Sequence, residues 1–99
     1  RFPKIKTIKA EKRGTSFVCV SFVVDSDTPI RQATVNYAFV GEVPTKRKWV
    51  TVSAKCVKNN HYEVLIPLQN LGKNAVEFYG TVSDNRPVSV SSYMIWYSN

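Results

Sequence analysis

Seven short segments that alternate apolar and polar residues fill nearly the whole chain, and turn-forming residues separate them at near-regular intervals. We predict one strand in each segment: Lys4–Ala10, Phe17–Val24, Gln32–Val40, Trp49–Cys56, Tyr62–Pro67, Ala75–Val82 and Val88–Tyr97. Turns at intervals of about 8–12 residues are typical of two packed antiparallel sheets, and the crossover helices that a parallel sheet needs are missing from the pattern. The sequence therefore predicts an all-β fold, a two-sheet antiparallel β-sandwich of about seven strands.

Details of three segments refine this prediction. In Lys4–Ala10, Ile5 and Ile8 break strict alternation, which predicts a β-bulge or a strand that changes sheets. Phe17–Val24 is apolar on both faces, so we expect it in the middle of a sheet. In the sixth segment, the side that we expect to face the core consists of Val76, Phe78, Gly80 and Val82.

The length of 99 residues predicts a single domain that spans residues 1–99. The chain begins Arg-Phe-Pro, with neither an initiator methionine nor a signal peptide, so we expect it to be a piece of a longer polypeptide. No apolar run approaches the roughly 18–20 residues of a membrane span. The composition thus favours one globular module and predicts no membrane span.

The positive charge is concentrated at the start of the chain. The net charge is +7, and residues 1–13 supply +5 of it through six Lys/Arg and one acid. We interpret residues 1–13 as a basic entry strand or linker. Lysines on an edge strand also oppose aggregation between the edges of two sheets. A second small cluster, Lys46, Arg47 and Lys48, leaves open an anionic partner. Nucleic acid is an improbable partner, because few aromatic residues are interleaved with these cations.

The stretch from Ala33 to Asp84 resembles the immunoglobulin-like and fibronectin type III-like modules of secreted and cell-surface proteins. The pieces that carry the resemblance are Val35-Asn36-Tyr37, Trp49-Val50-Thr51-Val52, Tyr62-Glu63-Val64-Leu65-Ile66-Pro67 and the strand Val76–Val82 with Ser83-Asp84. One departure is that Asn85-Arg86-Pro87 stands where such modules usually have a glycine. The resemblance implies an immunoglobulin-like, non-catalytic accessory domain of an extracellular or cell-surface protein.

The two cysteines leave two alternatives open. The disulfide of the immunoglobulin fold joins the second and sixth strands, whereas Cys19 lies in the second predicted strand and Cys56 near the fourth. A Cys19–Cys56 disulfide and two separate thiols, at least one of them buried, both remain possible. Their spacing fits neither a zinc motif nor a redox pair.

No pattern of residues predicts catalysis or a cofactor. The single histidine, His61, follows a turn and has no nucleophile motif near it in sequence. The seven acids are scattered, and Asp25-Ser26-Asp27 is better explained by a turn than by a calcium loop. The four glycines are isolated, so no loop is predicted to hold a phosphate. We therefore expect no catalytic residues, no metal site and no cofactor.

Aromatic residues are the best candidates for a binding surface, since flat rings can stack on sugars or anchor a protein. A tryptophan in a sandwich more often packs between the sheets, so we expect Trp49 and Trp96 to be at least partly buried. The candidate ligand or partner surface consists of Trp49, Tyr62, Tyr79, Lys46, Arg47 and Lys48.

The predicted function is a spacer or protein-interaction module whose partners are neighbouring domains of the parent protein or another protein. Two alternatives are a carbohydrate-binding module that uses exposed aromatics, and a binder of an anionic partner. The anionic partner would contact the basic entry strand and the hairpin at residues 46–48.

Overall fold

The computed structural model describes residues 2–41 and 46–98. This part of the chain has nine strands: β1 (Lys4–Arg13), β2 (Phe17–Asp25), β3 (Gln32–Phe39), β4 (Val50–Ser53), β5 (Lys55–Lys58), β6 (His61–Pro67), β7 (Ala75–Ser83), β8 (Ser89–Ser91) and β9 (Ile95–Ser98). A 3₁₀ turn, Leu68–Asn70, follows β6.

The strands form two antiparallel sheets that pack face to face. The four-stranded sheet has the order β1-β2-β6-β5. The five-stranded sheet has the order β4-β3-β7-β8, and β9 also pairs with β7, along the same edge as β8. The predicted all-β sandwich is confirmed, and so is the central place of the second predicted strand, because β2 lies between β1 and β6.

Two of the seven predicted segments are each divided into two strands. The segment predicted as Trp49–Cys56 changes sheets at Ala54, whose amide donates to the Ala33 carbonyl at 2.9 Å. The residues before it, β4, pair with β3, and the residues after it, β5, pair with β6. A strand that passes from one sheet to the other closes one side of the sandwich.

The last predicted segment is divided by a bulge at residues 92–94. The pairs Thr81↔Ser91 and Phe78↔Ile95 leave three residues of this strand opposite two of β7. The Ser92 amide donates to the Gly80 carbonyl, and the Ser92 hydroxyl accepts from the Gly80 amide, both at 2.9 Å. The ladder is interrupted, yet both backbone groups of Gly80 stay paired. A bulge of this kind changes which side chains face outward.

The core between the sheets contains the side chains that the alternation predicted. Val76, Phe78 and Val82 of β7 are at most 1% exposed, and Gly80 is buried among them. A Cβ atom added at Gly80 would lie 3.2 Å from two atoms of the Phe22 ring. The absence of a side chain at Gly80 therefore leaves room for the Phe22 ring. The irregularity expected in the first strand is also confirmed, because the register shifts between Ile5 and Thr7.

A buried carboxylate joins three separate parts of the chain at one end of the sandwich. Asp84 is 2% exposed and accepts hydrogen bonds from the Thr28 hydroxyl at 2.9 Å and the Arg86 amide at 2.9 Å. The Arg86 guanidinium forms an ion pair with Asp84 and lies 4.2 Å from the centre of the Phe2 ring. Hydrogen bonds from Arg86, and secondarily from Thr28, hold the pKa of Asp84 well below its usual range. The cluster holds Phe2, the β2–β3 loop and the end of β7 together.

Candidate functional site

The outward face of the five-stranded sheet carries a set of side chains unlike those of the core. Because Val35 and Tyr37 of β3 point into the core, Asn36 between them points outward. By the same alternation and the strand register, the outward positions include Gln32, Thr34, Asn36, Thr51, Ser53, Glu77, Tyr79, Thr81, Ser83, Ser89, Ser91 and Trp96. We call this surface the aromatic face.

A row of polar side chains crosses four strands of the aromatic face. The Thr51 hydroxyl donates to Asn36 Oδ1 at 2.7 Å, and Asn36 Nδ2 donates to the Thr81 hydroxyl at 3.1 Å. The Thr81 hydroxyl lies 3.4 Å from that of Ser91. Asn36 is only 6% exposed, so its amide is held rigidly by these partners. The row presents hydroxyl groups from β4, β7 and β8, and the Asn36 amide of β3 links those of Thr51 and Thr81.

Aromatic rings lie beside this row. Trp49 contacts Tyr79 edge to face, with ring centroids 5.1 Å apart and an interplanar angle of 70°. Trp96 pairs with Glu77 in the strand register, so it projects from the same face, and it is 74% exposed. The rings of Trp49, Tyr79 and Trp96 therefore place apolar surface on two sides of Glu77.

An ion pair neutralises the charge within the aromatic face. Arg47 Nη1 lies 2.8 Å from Glu77 Oε1, and the two side chains are only 15% and 10% exposed. Arg47 Nη2 donates to the Val40 carbonyl at 3.3 Å, which anchors the segment that leads into Trp49. Glu77 is the one charged residue in the five strands of this sheet. The surface is thus polar but has almost no net charge.

A shallow depression of about 220 Å³ lies on the same face, next to the polar row. Its lining includes Gln32, Thr34, Thr51, Thr81 and Ser89. Hydroxyl and amide groups both donate and accept hydrogen bonds, and the rings next to them offer apolar contact. The arrangement can therefore bind a molecule that combines many hydroxyl groups with flat apolar patches.

The residues predicted from sequence as a ligand or partner surface do not all lie together. Trp49, Tyr79 and Arg47 meet on the aromatic face, whereas Lys46 and Lys48 are exposed next to Arg47 in the chain. Tyr62 lies in the four-stranded sheet and stacks on Phe22, with centroids 5.7 Å apart. Tyr62 is therefore separate from the others.

The two cysteines are free thiols, so the Cys19–Cys56 disulfide is not formed in this structure. Cys19 is buried on the outward side of β2, and its thiol lies 3.5 Å from Glu63 Oε2. Cys56 is exposed and pairs in register with Tyr62, which points inward. In this structure the two side chains thus lie on opposite faces of one sheet. Burial and the neighbouring Glu63 raise the pKa of the Cys19 thiol.

The sequence prediction missed several residues of the aromatic face. Asn36, Thr51, Glu77 and Thr81 were absent from the predicted surface, and Trp96 was expected to be partly buried. The available signal was the alternation itself, since Ile95 and Tyr97 both pack on the core and place Trp96 on the other side. The bulge at residues 92–94 hides this signal, because it interrupts the alternation of the last segment.

Residues 2–41 and 46–98 contain no group of three or more His, Cys, Asp or Glu residues placed to hold a metal ion. None of the helices in this part of the chain is long and apolar enough to span a membrane.

Comparison with known proteins shows the fold alone. No family model matches the sequence, and no curated protein matches it. Among solved structures, the crystal structure of a Br derivative of BhCBM56 superposes with a TM-score of 0.66 at 15% identity and covers 93% of this chain and 89% of its own. The crystal structure of a carbohydrate-binding module family 56 beta-1,3-glucan binding domain has a TM-score of 0.56 at 19% identity and covers 92% and 95%. These neighbours fit the predicted β-sandwich, but they do not support its assignment to the immunoglobulin or fibronectin type III families.

Proposed function

We propose that this chain is a non-catalytic carbohydrate-binding module that binds a neutral β-linked glucan on the aromatic face. The observation that carries the proposal is the highly exposed Trp96 on the same face as the Trp49–Tyr79 pair and the row of hydrogen-bonded hydroxyl groups. The similarity in fold to a β-1,3-glucan binding domain supports β-1,3-glucan as the ligand class. The spacer role expected from the sequence would not account for this surface.

The aromatic side chains supply the apolar part of the interaction. The axial C–H groups of a β-linked glucose unit form a flat apolar patch, which stacks on an indole or phenol ring. Trp96 keeps 74% of its surface in contact with water, so a sugar ring that covers it removes apolar area from solvent. Trp49, 39% exposed and braced by Tyr79, offers a second contact.

The polar row supplies the directional part. Asn36 and Thr81 already hold each other in place, so their orientation costs little entropy when a ligand binds. The exposed Thr51 and Ser91 lie at the two ends of the row and can exchange water for sugar hydroxyl groups. This spacing over four strands suits an extended chain of sugars rather than a single one.

The electrostatics of the face favour a neutral ligand. The Glu77 carboxylate is paired with Arg47, and the other strand residues of this sheet carry no charge. An acidic polymer would gain little electrostatic attraction from this face, whereas a neutral glucan needs no opposite charge on the protein. We place the module in a secreted or cell-surface protein, where glucans are accessible.

The test is binding of laminarihexaose, a β-1,3-glucan oligosaccharide, measured by isothermal titration calorimetry. Trp96→Ala should weaken binding about tenfold or more, because it removes an aromatic contact. Phe17→Ala is the matched control: Phe17 is 39% exposed but lies in β2, in the other sheet, and its removal should leave affinity unchanged.

Two results would contradict the proposal. One is a failure of the wild-type chain to bind laminarihexaose or any other neutral β-glucan oligosaccharide. The other is an equal loss of affinity in both variants, which would move the site away from the aromatic face. Circular dichroism of each variant shows whether the sandwich remains folded.

A further inference from the structure

The positive charge of the strands lies entirely in one sheet. In the four-stranded sheet, β1 contains five Lys/Arg residues and one acid, and β5 contains Lys55 and Lys58. The strands of the five-stranded sheet contain no Lys or Arg at all. The basic strands β1 and β5 are the two edges of their sheet, with β2 and β6 between them. The sheet opposite the aromatic face therefore has a cationic border on both sides.

A groove of about 490 Å³ lies on the outward face of this sheet, between its basic edges. Lys9 and Arg13 line it from β1, and Lys58 lines it from β5. The strands between them contribute Ser21 and Glu63. We call this surface the basic groove.

The cations of the basic groove differ in how far they are neutralised. Lys9 Nζ lies 3.0 Å from Glu11 Oε1, and Arg13 Nη1 lies 3.4 Å from Glu63 Oε1. In the part of the chain that the structure describes, Lys58 has no ion pair, nor has Lys55, the register partner of Glu63. The β5 edge therefore keeps its full charge for an external anion.

We propose that the basic groove is a second binding site, which takes an acidic polysaccharide with carboxylate groups. Cations on both edges would contact carboxylates of the polymer at two places along its width. The hydroxyls of Thr7 and Ser21 and the carboxylates of Glu11 and Glu63 would accept hydrogen bonds from sugar hydroxyl groups. A surface that mixes cations with carboxylates matches a polymer that mixes carboxylates with hydroxyls.

The same residues argue against two other polyanions. A single-stranded nucleic acid needs aromatic platforms for its bases, but Tyr62, at the groove, is stacked on Phe22 instead of facing outward. A membrane surface of anionic lipid is flat, whereas these cations border a recess.

The test uses the full chain and polygalacturonate, a linear polymer with one carboxylate per sugar, in affinity electrophoresis at about 0.15 M ionic strength. Lys9→Gln with Lys58→Gln removes one cation from each edge and should weaken binding about tenfold, with a shallower salt dependence. The matched control is Lys46→Gln with Lys48→Gln, which removes the same charge outside the groove and should change affinity less than about twofold.

Each other outcome overturns the proposal. Equal losses in the two double variants would mean an unspecific charge effect, and no retention by polygalacturonate would remove the site. Tighter binding to oligo(dT), or to phosphatidylcholine vesicles with about 20% phosphatidylserine, would assign the groove to a nucleic acid or a membrane. The affinity of the Lys9/Lys58 double variant for laminarihexaose should stay unchanged. Binding of polygalacturonate and binding of laminarihexaose are therefore tested separately, and one proposal can fail without the other.

Discussion

One added methyl group at Gly80 should destabilise the fold, because this residue faces the core where β7 crosses β2. The new Cβ atom would meet the Phe22 ring at 3.2 Å and Ile5 Cδ1 at 3.4 Å. We expect Gly80→Ala to lower the free energy of unfolding by about 1–3 kcal/mol, the usual cost of overpacking. Urea unfolding followed by tryptophan fluorescence measures the change.

Gly41→Ala is the control for this prediction, since an added Cβ there meets no atom within 4 Å. Its free energy of unfolding should differ from that of the wild type by no more than about 0.5 kcal/mol. Equal stability of the Gly80→Ala variant and the wild type would show that the sheets can separate at Phe22 without cost.

At the scale of single residues, alternation predicted burial well but did not predict which residues share the aromatic face. Val76, Phe78, Gly80 and Val82 face the core as expected, because a regular strand sends every second side chain to one side. Trp96 is 74% exposed although partial burial was expected. Hydrophobicity alone cannot distinguish a core tryptophan from an exposed one. The strand register decides between them, and a local sequence pattern does not determine that register.

At the scale of elements, the Asp84 cluster joins the start of the chain, the β2–β3 loop and the end of β7. The pKa of Asp84 is lowered in the folded state, so its contribution to stability is complete above about pH 4, the unfolded value. It is lost as pH falls from there toward the folded value. Asp84→Asn should therefore have a lower Tm at pH 7, and the difference from the wild type should shrink below about pH 4.

Thermal unfolding by circular dichroism at a series of pH values measures this difference. Glu11→Gln is the control, because Glu11 forms only an exposed pair with Lys9 and its removal should barely change the Tm at any pH. A Tm difference for Asp84→Asn that persists unchanged into acid would contradict the role given to the Asp84 carboxylate.

The elements themselves show why seven predicted segments became nine strands. The segment Trp49–Cys56 alternates without a break, yet it passes from one sheet to the other at Ala54. The positions of β3 and β6, with which its two halves pair, determine where it changes sheets. The bulge near Ser92 depends likewise on a hydrogen bond from Gly80 of another strand. Local sequence predicts that a segment is extended but not which neighbour it pairs with.

At the scale of the whole molecule, the sandwich separates two kinds of surface. On the aromatic face, the ion pair between Arg47 and Glu77 cancels the charge. The Lys and Arg residues of the strands lie in the other sheet, and some of them line the basic groove. The excess of charge in residues 1–13 was visible in the sequence. The position of Lys58 across the groove from this strand was not visible in the sequence, because it follows from the strand order β1-β2-β6-β5.

The outward face of the five-stranded sheet is the proposed binding site for a neutral β-glucan. The most direct measurement is an NMR titration of the isotope-labelled chain with laminarihexaose. We predict shifts of the backbone amides of β3, β7 and β9 and of the indole N–H signals of Trp49 and Trp96, while β1 and β5 stay unchanged. Shifts confined to the four-stranded sheet, or no shifts at saturating oligosaccharide, would contradict the claim.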